Sequence, residues 1–296
     1  MVPFYAYYSM FGFQRVGDAL WGASDSRARG FLLGATAGRT TLAGEGLQHQ
    51  DGHSHILAST IPACEAYDPA FAFEMATIIE RGIRRMYGDM DDVFYYLTLY
   101  NEAYVQPAKP PGSEDGIVDG LYKFADVPPG HPHNATILFS GPAQKAARAA
   151  QVELADHFDV GVELWSATSY KKLREEAMAT ERWNTLHPQS DQRVPLVTRL
   201  LDAADGPITA VTDYMKAVPD QIAPFMRKPF TSLGTDGYGR SDTRESLRSF
   251  FEVDAAHIVV AVLTSLVEQG AVGVDVVAAA IERYEIDPEA PAPWTV

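Results

Sequence analysis

Short apolar runs alternate with helix-patterned stretches along almost the whole chain, and that alternation most narrows the folds it can adopt. Phe31-Leu32-Leu33, Val93 to Leu99, Thr136 to Ser140, Val160 to Trp165, Ile208 to Val211 and Phe230 to Leu233 read as strands. Val93 to Leu99 is apolar on both faces, the pattern of a strand covered on each side. Phe13 to Leu20 reads as a helix stopped by Gly22. A second helix opens at Asp68-Pro69, where the carboxylate is placed to cap it and the proline suits its first turn. Phe73, Ala76, Ile79 and Ile83 follow at helical spacing, and Gly88 closes the segment. Ala143 to His157 and Ser169 to Ala177 are further helices, and Thr243 to about Tyr284 is almost all helix. The order predicts an α/β protein of mainly parallel sheets flanked by helices. Residues 3–8 read as a short buried aromatic strand with no lead-in, an opening expected of a chain that lacks an upstream part.

A length of 296 residues suits two domains. Pro107, Pro110, Pro111, Pro128, Pro129 and Pro132 mark 106–134 as a linker region, with a short ordered stretch expected around Ile117 to Phe124. The expected units are therefore 1–130 and 135–296. A net charge of −15 repels phosphate backbones and anionic lipid, which argues against nucleic-acid and membrane partners. No uninterrupted apolar run reaches the ~20 residues of a bilayer span, and the opening residues carry no leader pattern. One cysteine, Cys64, cannot form an internal disulfide, fits a reducing cytoplasm and reads as a small buried hydrophobe.

Three segments hold residues suited to chemistry. Gly44-Glu45-Gly46-Leu47-Gln48-His49-Gln50-Asp51-Gly52-His53-Ser54-His55 packs three histidines and two carboxylates into a glycine-flanked polar loop. Carboxylates and imidazoles orient substrates and move protons near neutral pH, and glycines admit a ligand close to the backbone. His49, His53 and His55 are also common metal ligands, although their spacing matches no standard zinc signature and no cysteine is near. An organic active site, a metal-dependent hydrolase on these three histidines and a structural polar turn all stay open on the residues alone. Tyr5-Ala6-Tyr7-Tyr8-Ser9-Met10-Phe11-Gly12-Phe13 either packs as core or turns Tyr8 and the residues after it into a pocket at the carboxyl edge of the sheet. Leu233 to Arg244, with glycines at 234, 237 and 239, joins a strand to a helix. It reads as a tight turn or an anion cradle, and its glycine spacing fits neither a P-loop nor a dinucleotide fingerprint.

Together with Gly38-Arg39-Thr40-Thr41-Leu42, Glu181-Arg182-Trp183-Asn184 and Leu186-His187-Pro188, these words resemble the homodimeric-type decarboxylating subunits of the pyruvate dehydrogenase complex. The likeness runs in register from near residue 2 to the helical end. It implies two transketolase-like domains: the later part of a pyrimidine-binding middle domain, then a whole carboxyl-terminal domain. It implies an enzyme of thiamine diphosphate and Mg²⁺ that decarboxylates pyruvate and reductively acetylates the lipoyl domain of a dihydrolipoamide acetyltransferase, as a cytoplasmic homodimer. It places Phe11 against the aminopyrimidine ring, Tyr8 and His49 near the bound pyruvate, and Glu45 in the same cavity. His53 and His55 match the motif without a chemical role. The family's Gly-Asp-Gly…Asn diphosphate motif does not occur in this sequence, and its cofactor-activating glutamate is expected upstream. The chain alone is therefore expected to be inactive and to bind no cofactor tightly. A non-catalytic assembly fragment is the other expectation.

Overall fold

The computed structural model describes residues 1–204 and 206–296. Its first sheet has four parallel strands, β1 (Phe4–Tyr8), β2 (Phe31–Ala35), β3 (Cys64–Tyr67) and β4 (Phe94–Thr98), in the order β1-β2-β4-β3. The second sheet has five, β5 (Tyr122–Ala125), β6 (His133–Phe139), β7 (Val160–Ser166), β8 (Ile208–Val211) and β9 (Phe230–Leu233), in the order β5-β7-β6-β8-β9. All its pairings are parallel except β5 with β7. The helices are α1 (Phe13–Asp25), α2 (Ser54–Ser59), α3 (Ala72–Ile83), α4 (Glu114–Asp119), α5 (Gln144–Phe158), α6 (Tyr170–Leu186), α7 (Leu196–Asp202), α8 (Arg244–Phe250), α9 (Ala255–Glu268) and α10 (Val274–Arg283).

Burial explains the strand pattern. Every residue of β4 and β7 is buried, because each is an inner strand with helices on both faces. On one face of the second sheet, Ala146, Ala147 and Ala150 of α5 allow close approach to Val259, Val262 and Leu263 of α9. On the other, Leu173 and Ala177 of α6 pack with Val197 and Leu201 of α7. By length and composition, 244–268 is apolar enough to cross a membrane, with mean hydropathy 1.8. It is nevertheless bent between α8 and α9, and the apolar face of α9 is part of this core.

Three local expectations are corrected. The opening strand is not buried: β1 is an edge strand, and all of it but Tyr7 is exposed. Gly22 does not stop α1, which runs to Asp25. An exposed glycine weakens a helix by only about 1 kcal/mol, too little to end one otherwise in place. The helix expected at Asp68 begins at Ala72, and it is Glu74 that accepts the N–H groups of Ala70 and Phe71 ahead of it. Asp68 instead accepts hydroxyl hydrogen bonds from Thr98 (2.7 Å), Tyr100 and Ser140 (2.7 Å). The proline-rich stretch contains α4 and β5, where a short ordered stretch around Ile117 to Phe124 was expected. Strand β5 pairs with β7 of the second sheet.

Candidate active site

Two pieces of the first unit meet at the carboxyl edge of β1. The strand ends at Tyr8, and a single turn, Ser9–Phe11, leads into α1. The polar loop after β2 returns beside it. His49 stands 5.4 Å, centroid to centroid, from both Tyr8 and Phe11, edge-on to the latter, and the two aromatic rings are 5.7 Å apart. Glu45 Oε2 lies 2.8 Å from His49 Nδ1. Its approach lacks the alignment of a good hydrogen bond, so it acts as a close electrostatic contact. All four side chains singled out in the sequence, Tyr8, Phe11, Glu45 and His49, thus share one partly exposed cluster. Arg15 covers Phe11, its guanidinium 4.2 Å from the ring centroid.

The other two histidines diverge from it. His53 Nε2 pairs with Gln14 of α1 at 2.7 Å. His55 is buried edge-on to Tyr214 at 4.7 Å, and burial pushes its pKa down, so it stays neutral. Among the described residues, no three His, Cys, Asp or Glu side chains are grouped to hold a metal ion. That geometry removes the footing of the hydrolase reading, which needs His49, His53 and His55 to converge.

The residue that organises the loop is Asp51, which carried no role in the sequence reading. Fully buried, it accepts the N–H groups of His53 (3.0 Å) and Ser54 (2.9 Å) and the hydroxyl of Ser9. It therefore caps the entry to α2 while tying the loop to the turn after β1. The signal was present, since Asp51 stands three residues before Ser54 at the start of a helix. The buried Arg39 donates to Thr235 O of the second unit, and desolvation lowers its pKa against the pull of Asp51, Asp236 and Asp213. Gly52 lets the guanidinium lie close to the backbone, since a Cβ there would lie 2.4 Å from it.

The glycine-rich turn after β9 does not open into a free cradle. It lies against the histidine loop: Ser241 Oγ donates to Gly44 O at 2.9 Å, and Arg240 N donates to Gln50 Oε1 at 2.7 Å. At the end of α6, Trp183 stacks on His187 at 4.5 Å and under Arg193 at 3.6 Å, which makes that motif a packed corner.

Two parallel-rich sheets flanked by helices, with an aromatic and imidazole cluster at a strand's carboxyl edge, define a transketolase-like α/β protein. The transketolase of Campylobacter jejuni matches with a TM-score of 0.66 at 14% identity, over 89% of this chain and 36% of that one. The model of the pyruvate dehydrogenase E1 component middle domain matches residues 1–107, and that of the transketolase-like C-terminal domain matches 120–254. The chain is similar to the pyruvate dehydrogenase E1 components of Pseudomonas aeruginosa (50% identical over 98% of this chain) and Cupriavidus necator (48% over 100%). The chain spans 33% of the length of each of those two relatives.

Proposed function

We propose that this chain is the substrate-handling third of a pyruvate dehydrogenase E1 component that decarboxylates pyruvate on thiamine diphosphate and transfers the acetyl group reductively to a lipoyl domain. The observation that carries the reading is the convergence of Tyr8, Phe11, Glu45 and His49 in a chain about half identical, over almost its whole length, to proteins named for that activity. In this reading the enzyme is a cytoplasmic homodimer, the lipoyl domain belongs to a dihydrolipoamide acetyltransferase, and Mg²⁺ with the cofactor's diphosphate is held outside this chain. The chain alone is inactive.

The residues fit the organic half of the cofactor. Phe11 offers a ring in the cluster, and the exposed Arg15 above it leaves at a cost of about 0.5–1 kcal/mol. Thiamine diphosphate, when bound, would supply a nucleophilic carbon for the keto group and a cationic ring able to take up the electron pair released with carbon dioxide. The chain's own residues do the rest. The Glu45 carboxylate beside Nδ1 holds the His49 ring, leaving Nε2 as the nitrogen for a substrate oxygen. The Tyr8 phenol is a second donor on the same side. Two fixed donors orient a 2-oxo acid and stabilise charge where it develops on oxygen.

The test combines this chain with the upstream two thirds of the Pseudomonas aeruginosa relative, thiamine diphosphate and Mg²⁺, and follows pyruvate-dependent reduction of ferricyanide. Turnover is expected only when both pieces are present, and His49→Ala is expected to lower it about 10²–10³-fold with little change in melting. A stable complex of the two pieces with no pyruvate-dependent turnover would overturn the reading.

A further inference from the structure

The segment 44–50 presents Glu45 and His49 from the first unit, yet both its ends are tied to the second. At the start, Gly44 N donates to Asp242 O at 3.1 Å, and Gly44 O accepts from Ser241 Oγ at 2.9 Å. At the end stands Gln50, its side chain buried. Gln50 Oε1 accepts the N–H of Arg240 at 2.7 Å, while Nε2 donates back across the loop to Leu42 O at 3.3 Å. One carboxamide therefore bridges the loop's own backbone and the turn of the other unit. The approach is too tight for any side chain at 239: a Cβ on Gly239 would stand 2.5 Å from Gln50 Oε1 and 3.1 Å from Leu47 Cα. The Arg240 side chain turns away onto Phe250 at 4.0 Å, so only its backbone serves the joint. A few ångströms of loop movement would carry His49 off Tyr8 and Phe11, and such constellations work only when held to about 0.5 Å by the residues behind them.

We propose that Gln50 is a positioning residue: through it, the turn Gly239–Asp242 of the second unit sets where His49 stands relative to Tyr8 and Phe11. The inference rests on the reading that His49 handles the substrate, but its geometry is testable without cofactor or turnover. The measurement is NMR cross-relaxation from the His49 ring to the rings of Tyr8 and Phe11 in the 296-residue chain. Gln50→Met fills the same space but forms neither hydrogen bond, and loss of both sets of cross-peaks is expected. Gln50→Glu keeps an acceptor for the Arg240 N–H and should retain them. Gly239→Ala displaces the joint from the second unit's side and should also lose them. The His55 to Tyr214 cross-peaks are the internal control and should persist throughout, which a general loosening of the fold would not allow. Unchanged His49 cross-peaks in either Gln50→Met or Gly239→Ala would overturn the proposal. If Gln50→Met does not fold, Gly239→Ala decides alone. Because nothing here reads turnover, failure of this proposal and failure of the functional reading are separate results.

Discussion

Asp213 has no access to water, and its neighbours decide its charge. Its carboxylate accepts the Thr40 N–H at 3.2 Å, with Arg248 nearby as favourable charge and Asp68 as unfavourable. Burial outweighs the help and pushes the pKa up from the ordinary 3.8 to about 7. Between those values the unfolded chain has released this proton while the folded chain still holds it. The unfolded state binds fewer protons there, so this residue's contribution to stability falls as pH rises through the window. Asp213→Asn keeps an acceptor for Thr40 and removes the titration. Urea midpoints measured from the lower to the upper end of that window should show the variant gaining on the parent as pH rises. Parallel profiles would mean that Asp213 stays ionised throughout. No sequence pattern marked this residue, since only the fold brings the backbone of Thr40 against it from the other unit. His49, Tyr8 and Phe11 were legible because their motifs are contiguous words. The helix-capping half of Asp51's role could be read from its place before Ser54, but its tie to Ser9, 42 residues away, and the tie of Gln50 to Arg240, 190 residues away, could not.

At the scale of elements, inner strands were the easiest to read. Ile208 to Val211 matches the inner strand β8 residue for residue, because a buried run bounded by turns has few other uses, and Phe230 to Leu233 matches the edge strand β9 equally well. The opening strand misled for the same reason: aromatic residues signal burial, but an edge position cannot be seen from the strand itself. The start of α3 misled through a plausible cap at Asp68, while the working one, Glu74, lies inside the helix. Glu74 is fully buried and accepts four hydrogen bonds, from Ala70 N (2.5 Å), Phe71 N (3.1 Å), Tyr122 (2.7 Å) and Ser166 (2.6 Å). It therefore docks the start of α3 on β5 and β7 of the second sheet as well as capping the helix. Glu74→Ala strands two N–H groups and two hydroxyls in the interior, and a loss of about 3–5 kcal/mol in unfolding free energy is expected. Glu74→Gln keeps one acceptor oxygen and should lose clearly less. Chemical denaturation of the two variants gives the comparison, and equal losses would show that the side chain's volume matters there more than its oxygens.

Across the whole molecule the two sheets are tightly joined, while one flank of the first is bare. Asp68 N donates to Thr168 O at 2.8 Å and Ser169 Oγ to Ala66 O at 2.6 Å, so the units are bonded through the ends of their strands. On the far flank, among the described residues, β1 pairs with β2 alone, leaving one row of its backbone groups without a strand partner. Phe4 is 48% exposed and Tyr5 65%, which leaves apolar side chains on both faces of an open edge, and Trp21 of α1 is 51% exposed. Open edges and apolar patches are the surfaces through which chains associate. The net charge of −15 opposes contact, but salt confines that repulsion to about 8–10 Å, whereas burial acts at the contact itself. The isolated chain is therefore expected to self-associate with rising concentration, and more so as salt is added. Tyr5→Lys, which places a charge on the edge strand, should shift the association to higher concentration without moving the melting transition. Light scattering across a concentration series reads both effects. A constant monomer mass over the whole range, with a single cooperative melt, would show that the bare flank is not adhesive and that this chain is self-sufficient in solution.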